Sequence, residues 1–143
     1  MSTETNKAQF RRIYEEMFNK GDLTIADELV APDCINYEVP PGMDNRGPDS
    51  ARQVVTMLRN AFPDLYFTIE ELVGEGDTVV GRVTMSGTHL GPFQGLSATG
   101  RSFEQAQMHF VRYRDNFAIE HRAVRDDLGM MHQLGVIPAS EIA

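Results

Sequence analysis

The sequence carries a single cysteine, Cys34, so no disulfide within the chain can staple it. No apolar run approaches the length of a membrane span. The opening stretch MSTETNKAQF lacks the apolar core of a secretory signal, and a cytoplasmic, reducing setting is the expectation. Positive charge is scarce too: 13 Lys and Arg against 21 Asp and Glu leave a formal charge of −8. That balance argues against nucleic acid or an anionic membrane surface as partner. Internal repeats are absent. What remains for 143 residues is one domain spanning 1–143, large enough to bury roughly 70% of its unfolded surface and suited to handling small molecules or proteins.

The patterns present divide the chain in two. Phe10, Ile13, Tyr14, Met17 and Phe18 recur at helical spacing, with Arg11, Arg12, Glu15 and Glu16 on the polar side and Gly21 as a stop. Asp22 caps a shorter helix through Leu23, Ala26, Leu29 and Val30, which Pro32 ends. Cys34–Val39 reads as a short strand, followed by the turn-rich PPGMDNRGPDS. A third helix, capped by Asp49 or Ser50, carries Ala51, Val54, Val55, Leu58, Ala61 and Phe62 and closes at Pro63.

Beyond Pro63 the period shortens toward alternation. Leu65, Phe67 and Ile69 share a face, as do Val79, Val83 and Met85 after the turn GEGD. The loop GTHLGPFQGLSATGR leads into two long strands joined at RDNF, where Asp115 and Asn116 supply the turn. Helices first and a meandering antiparallel sheet afterwards predict an α+β fold. Three helices on one face of a curved sheet make a cone, open at one end, and such a cone holds a pocket.

The first of these two long strands, around residues 103–113, puts Phe103, Gln105, Gln107, His109, Val111 and Tyr113 on one face and Glu104, Ala106, Met108, Phe110 and Arg112 on the other. Neither face is cleanly apolar, and a homodimer packed through its sheets would account for the mixture. His109 stands as the first catalytic candidate, because imidazole titrates near neutrality and can move a proton to or from carbon or oxygen. The other reading of His109 is a strand histidine bonded to a neighbour. Arg122 would stabilise an enolate or phenolate, or else pair with Glu104, Glu120 or Asp126. His121 and Asp126 invite a second acid–base pairing, whereas Arg125, Asp126 and Asp127 together read as a solvated charge run. Tyr14, Asn36 and Tyr37 are candidate hydrogen-bond partners for a substrate; Tyr14, on an apolar helix face, equally reads as core. Phe62, Gln105 and Gln107 complete the expected lining.

Metal and cofactor chemistry find little support in the pattern. His89, His109, His121 and His132 are scattered, none two residues ahead of a carboxylate, and Cys34 stands alone. The glycines of GPFQGLSATG follow no phosphate-binding spacing, so neither a flavin nor a nicotinamide site is indicated.

Taken in order, RRIYEEMFNKGD, APDCINY, GPDSARQVV, GTHLGPFQGLSATGR and QMHFVRYRDNFAIEHR running into HQLG resemble the SnoaL-like polyketide cyclases, a branch of the superfamily built on the nuclear-transport-factor-2-like cone. The resemblance covers nearly the whole chain. It implies an aromatic polyketide as substrate, no cofactor, and ring closure by intramolecular aldol condensation. It also implies that the family's histidine falls on His109 and its arginine on Arg122, while the family's acid–base aspartate falls on Ala123. A methyl group moves no proton, so Ala123 is expected to line the substrate site without joining the chemistry. The resemblance then points to the hydroxylase-like relatives that act at C-1 of the anthracycline framework. There the protein need only bind, ionise and orient the substrate, with a separate reductase as a partner. The alternatives are a cyclase with its acid–base residue relocated to Asp126 or His121, and a non-catalytic ligand-binding module of the same cone fold.

Overall fold

The structure is a computed structural model describing residues 2–138. Helix α1, Thr3–Arg12, starts where the Ser2 hydroxyl accepts the Thr5 N–H at 3.0 Å. It continues through Ile13–Phe18 as a wider π-helical turn, with the Asn19 N–H reaching back to the Tyr14 carbonyl. The apolar spacing read from the sequence is the buried face: Phe10, Ile13, Tyr14, Met17 and Phe18 all lie in the core. Burial of such side chains stabilises the fold by about 1.5–3 kcal/mol each.

A tight turn at Leu23–Ile25, capped by Asp22, runs into α2, Ala26–Leu29. Two expectations fail here. The second helix stops at Leu29, and the first strand, β1, spans Val30–Asn36 with Pro32 inside it. Proline is tolerated because β1 sits at the sheet edge, paired on one side only, where a missing N–H need cost no ladder bond. Helix α3 is Gly47–Ala61 and begins ahead of the expected caps Asp49 and Ser50. Pro48 occupies its first turn, where a missing N–H is harmless. Gly47 has φ 70°, and a Cβ there would come within 2.9 Å of the Pro32 carbonyl oxygen; glycine lets the start of α3 abut β1.

The remaining strands are β2 (Tyr66–Glu75), β3 (Thr78–Thr88), β4 (Ser102–Arg114) and β5 (Phe117–Arg125). Their order is β1-β5-β4-β3-β2. All neighbours pair antiparallel except β1 and β5, which pair in parallel, so the sheet is mixed. Asp115 and Asn116 make the expected two-residue turn with φ 51° and 73°. Register breaks at Ile69/Glu71 and Arg112/Tyr113 help bend the sheet around the N-terminal helices. The architecture is the α+β cone.

One element was not anticipated. Instead of a solvated strand end, Asp126 caps a short helix α4, Asp127–Gln133, accepting the Gly129 N–H at 2.9 Å. This helix packs against β4. Among the described residues, no helix is long and apolar enough to cross a membrane.

Candidate active site

Alternation along β4 sends Phe103, Gln105, Gln107, His109, Val111 and Tyr113 into the cone, and all six are buried. For the three most polar of them burial is nearly complete: Gln105 is 1%, Gln107 3% and His109 3% exposed. Left unpaired, each such group would cost about 1–3 kcal/mol. They are instead linked in one chain of hydrogen bonds. Asp127 Oδ1 accepts from Gln105 Nε2 at 3.0 Å, Gln105 Oε1 accepts from Gln107 Nε2 at 2.8 Å, and Gln107 Oε1 lies 2.6 Å from His109 Nε2.

The other nitrogen of His109 meets two partners. Its Nδ1 is 2.9 Å from the Tyr14 hydroxyl and 2.8 Å from His121 Nε2. His121 Nδ1 in turn lies 2.7 Å from Asn36 Oδ1, which also accepts the Glu38 N–H at 2.9 Å. Elements distant in sequence converge here: Tyr14 from the π-helical turn, Asn36 from the end of β1, His109 from β4, His121 from β5 and Asp127 from α4. Arg125 donates to Glu38 at 3.2 Å at the same site.

Burial sets the protonation of this group. It pushes His109 well below the ordinary imidazole value, helped by His121 and by the positive charge of Arg125. Burial likewise pushes His121 down to about 3, with Arg125 adding to the effect. The Tyr14 hydroxyl moves the other way, above the ordinary phenol value, because its anion would be desolvated. Both imidazoles are therefore neutral bases at physiological pH, and Tyr14 is a neutral hydroxyl.

These groups open onto a cavity of about 270 Å³, near the lower end of small-molecule sites, which run roughly 300–1,000 Å³. Met17, Val54, Leu58, Phe67, Met85, Met130 and Met131 supply much of the apolar wall. Thioether side chains adapt their shape to flat ligands at little cost. Among the described residues, no group of three or more His, Cys, Asp or Glu side chains is placed to hold a metal ion.

The structure brings Tyr14, Asn36, Gln105, Gln107, His109 and His121 together at this cavity. The other expected residues lie elsewhere. Arg122 points to the outer face of the sheet, donates to Glu120 at 2.7 Å and covers the Tyr37 ring at 3.8 Å. Strand alternation is the reason: residues 121, 123 and 125 share one face of β5, so 122 must take the other. Asp126 is spent on capping α4 and is exposed. Phe62 is fully buried core, its ring 5.0 Å from that of Phe93 and 4.8 Å from that of Phe103. Ala123 shares the face of His121 and pairs with His109 in the β4–β5 ladder, without itself lining the cavity.

Arg125 and Asp127, whose sequence pattern is that of a solvated charge run, belong to the site. Arg125 was within reach of the sequence, since the alternation that points His121 inward carries on to 125. Asp127 required recognising that Asp126 begins a helix, which turns the next residue back toward β4.

Comparison with known proteins places this geometry in context. A family model described as SnoaL-like polyketide cyclase matches residues 8–134. The aklanonic acid methyl ester cyclase DauD of Streptomyces sp. (strain C5) is 32% identical over 126 residues, covering 84% of this chain and 76% of DauD. TsrD of Streptomyces laurentii superposes with a TM-score of 0.87 at 27% identity, over 96% of this chain and 99% of that one. AclR of Streptomyces galilaeus, assigned as a hydroxylase, superposes with a TM-score of 0.80 at 25% identity, over 96% and 85% of the two chains.

Proposed function

The chain belongs to the SnoaL-like polyketide cyclase family, and on that premise we propose that it closes a ring of an aromatic polyketide methyl ester by intramolecular aldol condensation. The observation that carries the reading is the His109–His121 pair, neutral and with ring nitrogens 2.8 Å apart, beside an apolar cavity. A carbon flanked by two carbonyls is acidic enough for a positioned imidazole to deprotonate, a service worth about 10²–10⁴-fold in rate. The enolate carbon then attacks a carbonyl carbon of the same molecule. The proton held by the histidine pair passes to the new alkoxide, leaving the enzyme as it began. The apolar walls fold the chain so that its two carbons meet, and they exclude water that would compete for the enolate. Tyr14 donates to His109 Nδ1 at 2.9 Å, and once that nitrogen holds a proton the hydroxyl is released to hydrogen-bond an oxygen that gains charge.

The alternative, a cofactor-independent hydroxylase, drew on Ala123 and Arg122. An alanine opposite His109 means that no carboxylate acts there, but His121, two residues earlier on the same face, supplies a proton acceptor. Arg122 cannot stabilise a bound phenolate from the outer face of the sheet. The likeness to AclR keeps the hydroxylase as a second reading; the curated cyclase relatives favour ring closure. Incubation of the purified protein with aklanonic or nogalonic acid methyl ester distinguishes them by mass. Ring closure yields an isomer of the substrate, and hydroxylation adds an oxygen atom. An unchanged substrate would favour a binding module.

A second copy of the chain is the proposed partner. Met108 and Val124, directly paired across β4 and β5, and Tyr66 on β2 expose apolar area on the outer sheet face, and burying it between two copies would remove it from water. Sedimentation of Met108→Glu and Val124→Glu variants as monomers, against a dimeric wild type, is the expected outcome.

A further inference from the structure

The direction of every hydrogen bond around the two histidines can be followed from its ends. At one end is the carboxylate of Asp127, which only accepts. Gln105 must therefore turn its Nε2 toward Asp127 and its Oε1 toward Gln107. Gln107 must donate from Nε2 to that oxygen, which leaves its own Oε1 facing His109 Nε2 at 2.6 Å. An amide oxygen only accepts, so the proton of His109 lies on Nε2, and its Nδ1, with no proton of its own, accepts the Tyr14 hydroxyl at 2.9 Å.

At the other end the Glu38 backbone N–H fixes the orientation of Asn36, because it must meet an oxygen. That same Oδ1 faces His121 Nδ1 at 2.7 Å, so the proton of His121 lies on Nδ1 and its Nε2 is bare. The two nitrogens without a proton are the pair that stand 2.8 Å apart. The ring planes are 14° from parallel and the centroids 5.1 Å apart. Nearly all the separation beyond the nitrogen gap is taken up by the two ring radii, so the nitrogens face each other in the plane of the rings rather than across stacked faces.

We propose that Asp127, acting through Gln105 and Gln107, and Asn36, acting directly, hold both histidines with their unprotonated nitrogens opposed, which makes His109 and His121 a single two-nitrogen acceptor for one proton. Asp127 is then a positioning residue, set apart from the reacting atoms by two amides. Opposed lone pairs repel, and a proton arriving between them relieves the repulsion and is held by both rings. Burial by itself makes each imidazole a weak base; the forced confrontation restores proton affinity to the pair where an isolated buried histidine would have little. The titratable and charged groups facing the pair are Tyr14 from the π-helical turn, Cys34 from β1, Glu38 from the following loop, Arg125 from β5 and Asp127 from α4. Arg125 opposes protonation of the pair, and Glu38, bound to it at 3.2 Å, offsets that charge.

The proposal deepens the base role assigned above, yet its test does not depend on that role. Histidine ring nitrogens in ¹⁵N-labelled protein report by NMR which nitrogen carries each proton. In the wild type at neutral pH, His109 should carry a proton on Nε2 and His121 on Nδ1. Acidification should add one proton shared between the inner nitrogens, with a strongly deshielded N–H signal. Gln107→Leu frees His109 to move its proton to Nδ1 and donate to His121, whereas Gln107→Glu, a stronger acceptor, should keep it on Nε2. Asp127→Ala should produce the same switch as Gln107→Leu. A wild type with a proton on His109 Nδ1 or His121 Nε2 at neutral pH would overturn the proposal, as would Asp127→Ala and Gln107→Leu spectra that keep the wild-type pattern. A wild-type pattern as expected, in a protein that closes no ring, would leave the wiring intact and refute only the proposed reaction.

Discussion

The two faces of the β4–β5 pair invert the ordinary rule for a sheet. Its outer face, in the single chain, leaves Met108 47% and Val124 69% exposed, while its inner face buries two glutamines and a histidine almost completely. Apolar groups outside and amides inside would be a poor design for stability alone. Burial of the inner amides yields at most a modest net gain per hydrogen bond and a penalty whenever one partner is lost. The inner face therefore makes sense as a site, whose polar groups are fixed in place by mutual bonding rather than by packing. The outer face fits the second copy of the chain proposed as its partner. Glutamines that point inward and bond to one another and to a histidine are a stronger sign of function than charge at a strand end, which the same segment also carries at Glu120, Arg122 and Asp126.

The difference between the faces can be broken from the inside first. His109→Ala removes the central base and is expected to lower the ring-closing rate by about 10²–10⁴-fold, measured as substrate loss by chromatography, with the fold intact by circular dichroism. A smaller effect is expected on pH dependence. Burial and Arg125 hold both imidazoles below 6.5, so the proton-accepting form is complete at neutral pH. kcat/KM should stay flat down to pH 6.5 and fall only below it; a fall already complete at pH 6.5 would contradict the assignment of these two groups. Next comes stability. Gln107→Ala strands the Gln105 oxygen and His109 Nε2 and should cost about 1–3 kcal/mol in urea unfolding. The smallest effect belongs to the outer face: Arg122→Ala breaks an exposed pair with Glu120 and should leave the rate unchanged and the unfolding midpoint almost so.

The same contrast explains what was legible in the sequence. Periodicity exposed the long elements, because Phe10 to Phe18 and Phe103 to Tyr113 each keep one face buried over several turns or pleats. It equally placed Gln105, Gln107 and His109 on one face. Short elements were another matter. The four-residue α2 and the seven-residue α4 are too brief for a period to stand out, and Pro32 looked like a helix terminator because nothing local distinguishes an edge strand from a loop. The site followed the same division. Tyr14, Asn36, His109 and His121 were visible as ionisable or polar groups within recognisable elements. Asp127 was not, because its role depends on a helix cap that turns it toward a strand twenty-odd residues away. Arg122 has the chemistry of a site residue, but strand alternation sets its direction and turns it outward.

The account turns on His109 and His121 taking a proton from carbon. A substrate analogue lacking the electrophilic carbonyl cannot close a ring but keeps the acidic carbon. In deuterated water, the wild type should accelerate deuterium incorporation at that carbon, and His109→Ala should fall to the uncatalysed rate. Incorporation by His109→Ala as fast as by the wild type would contradict it.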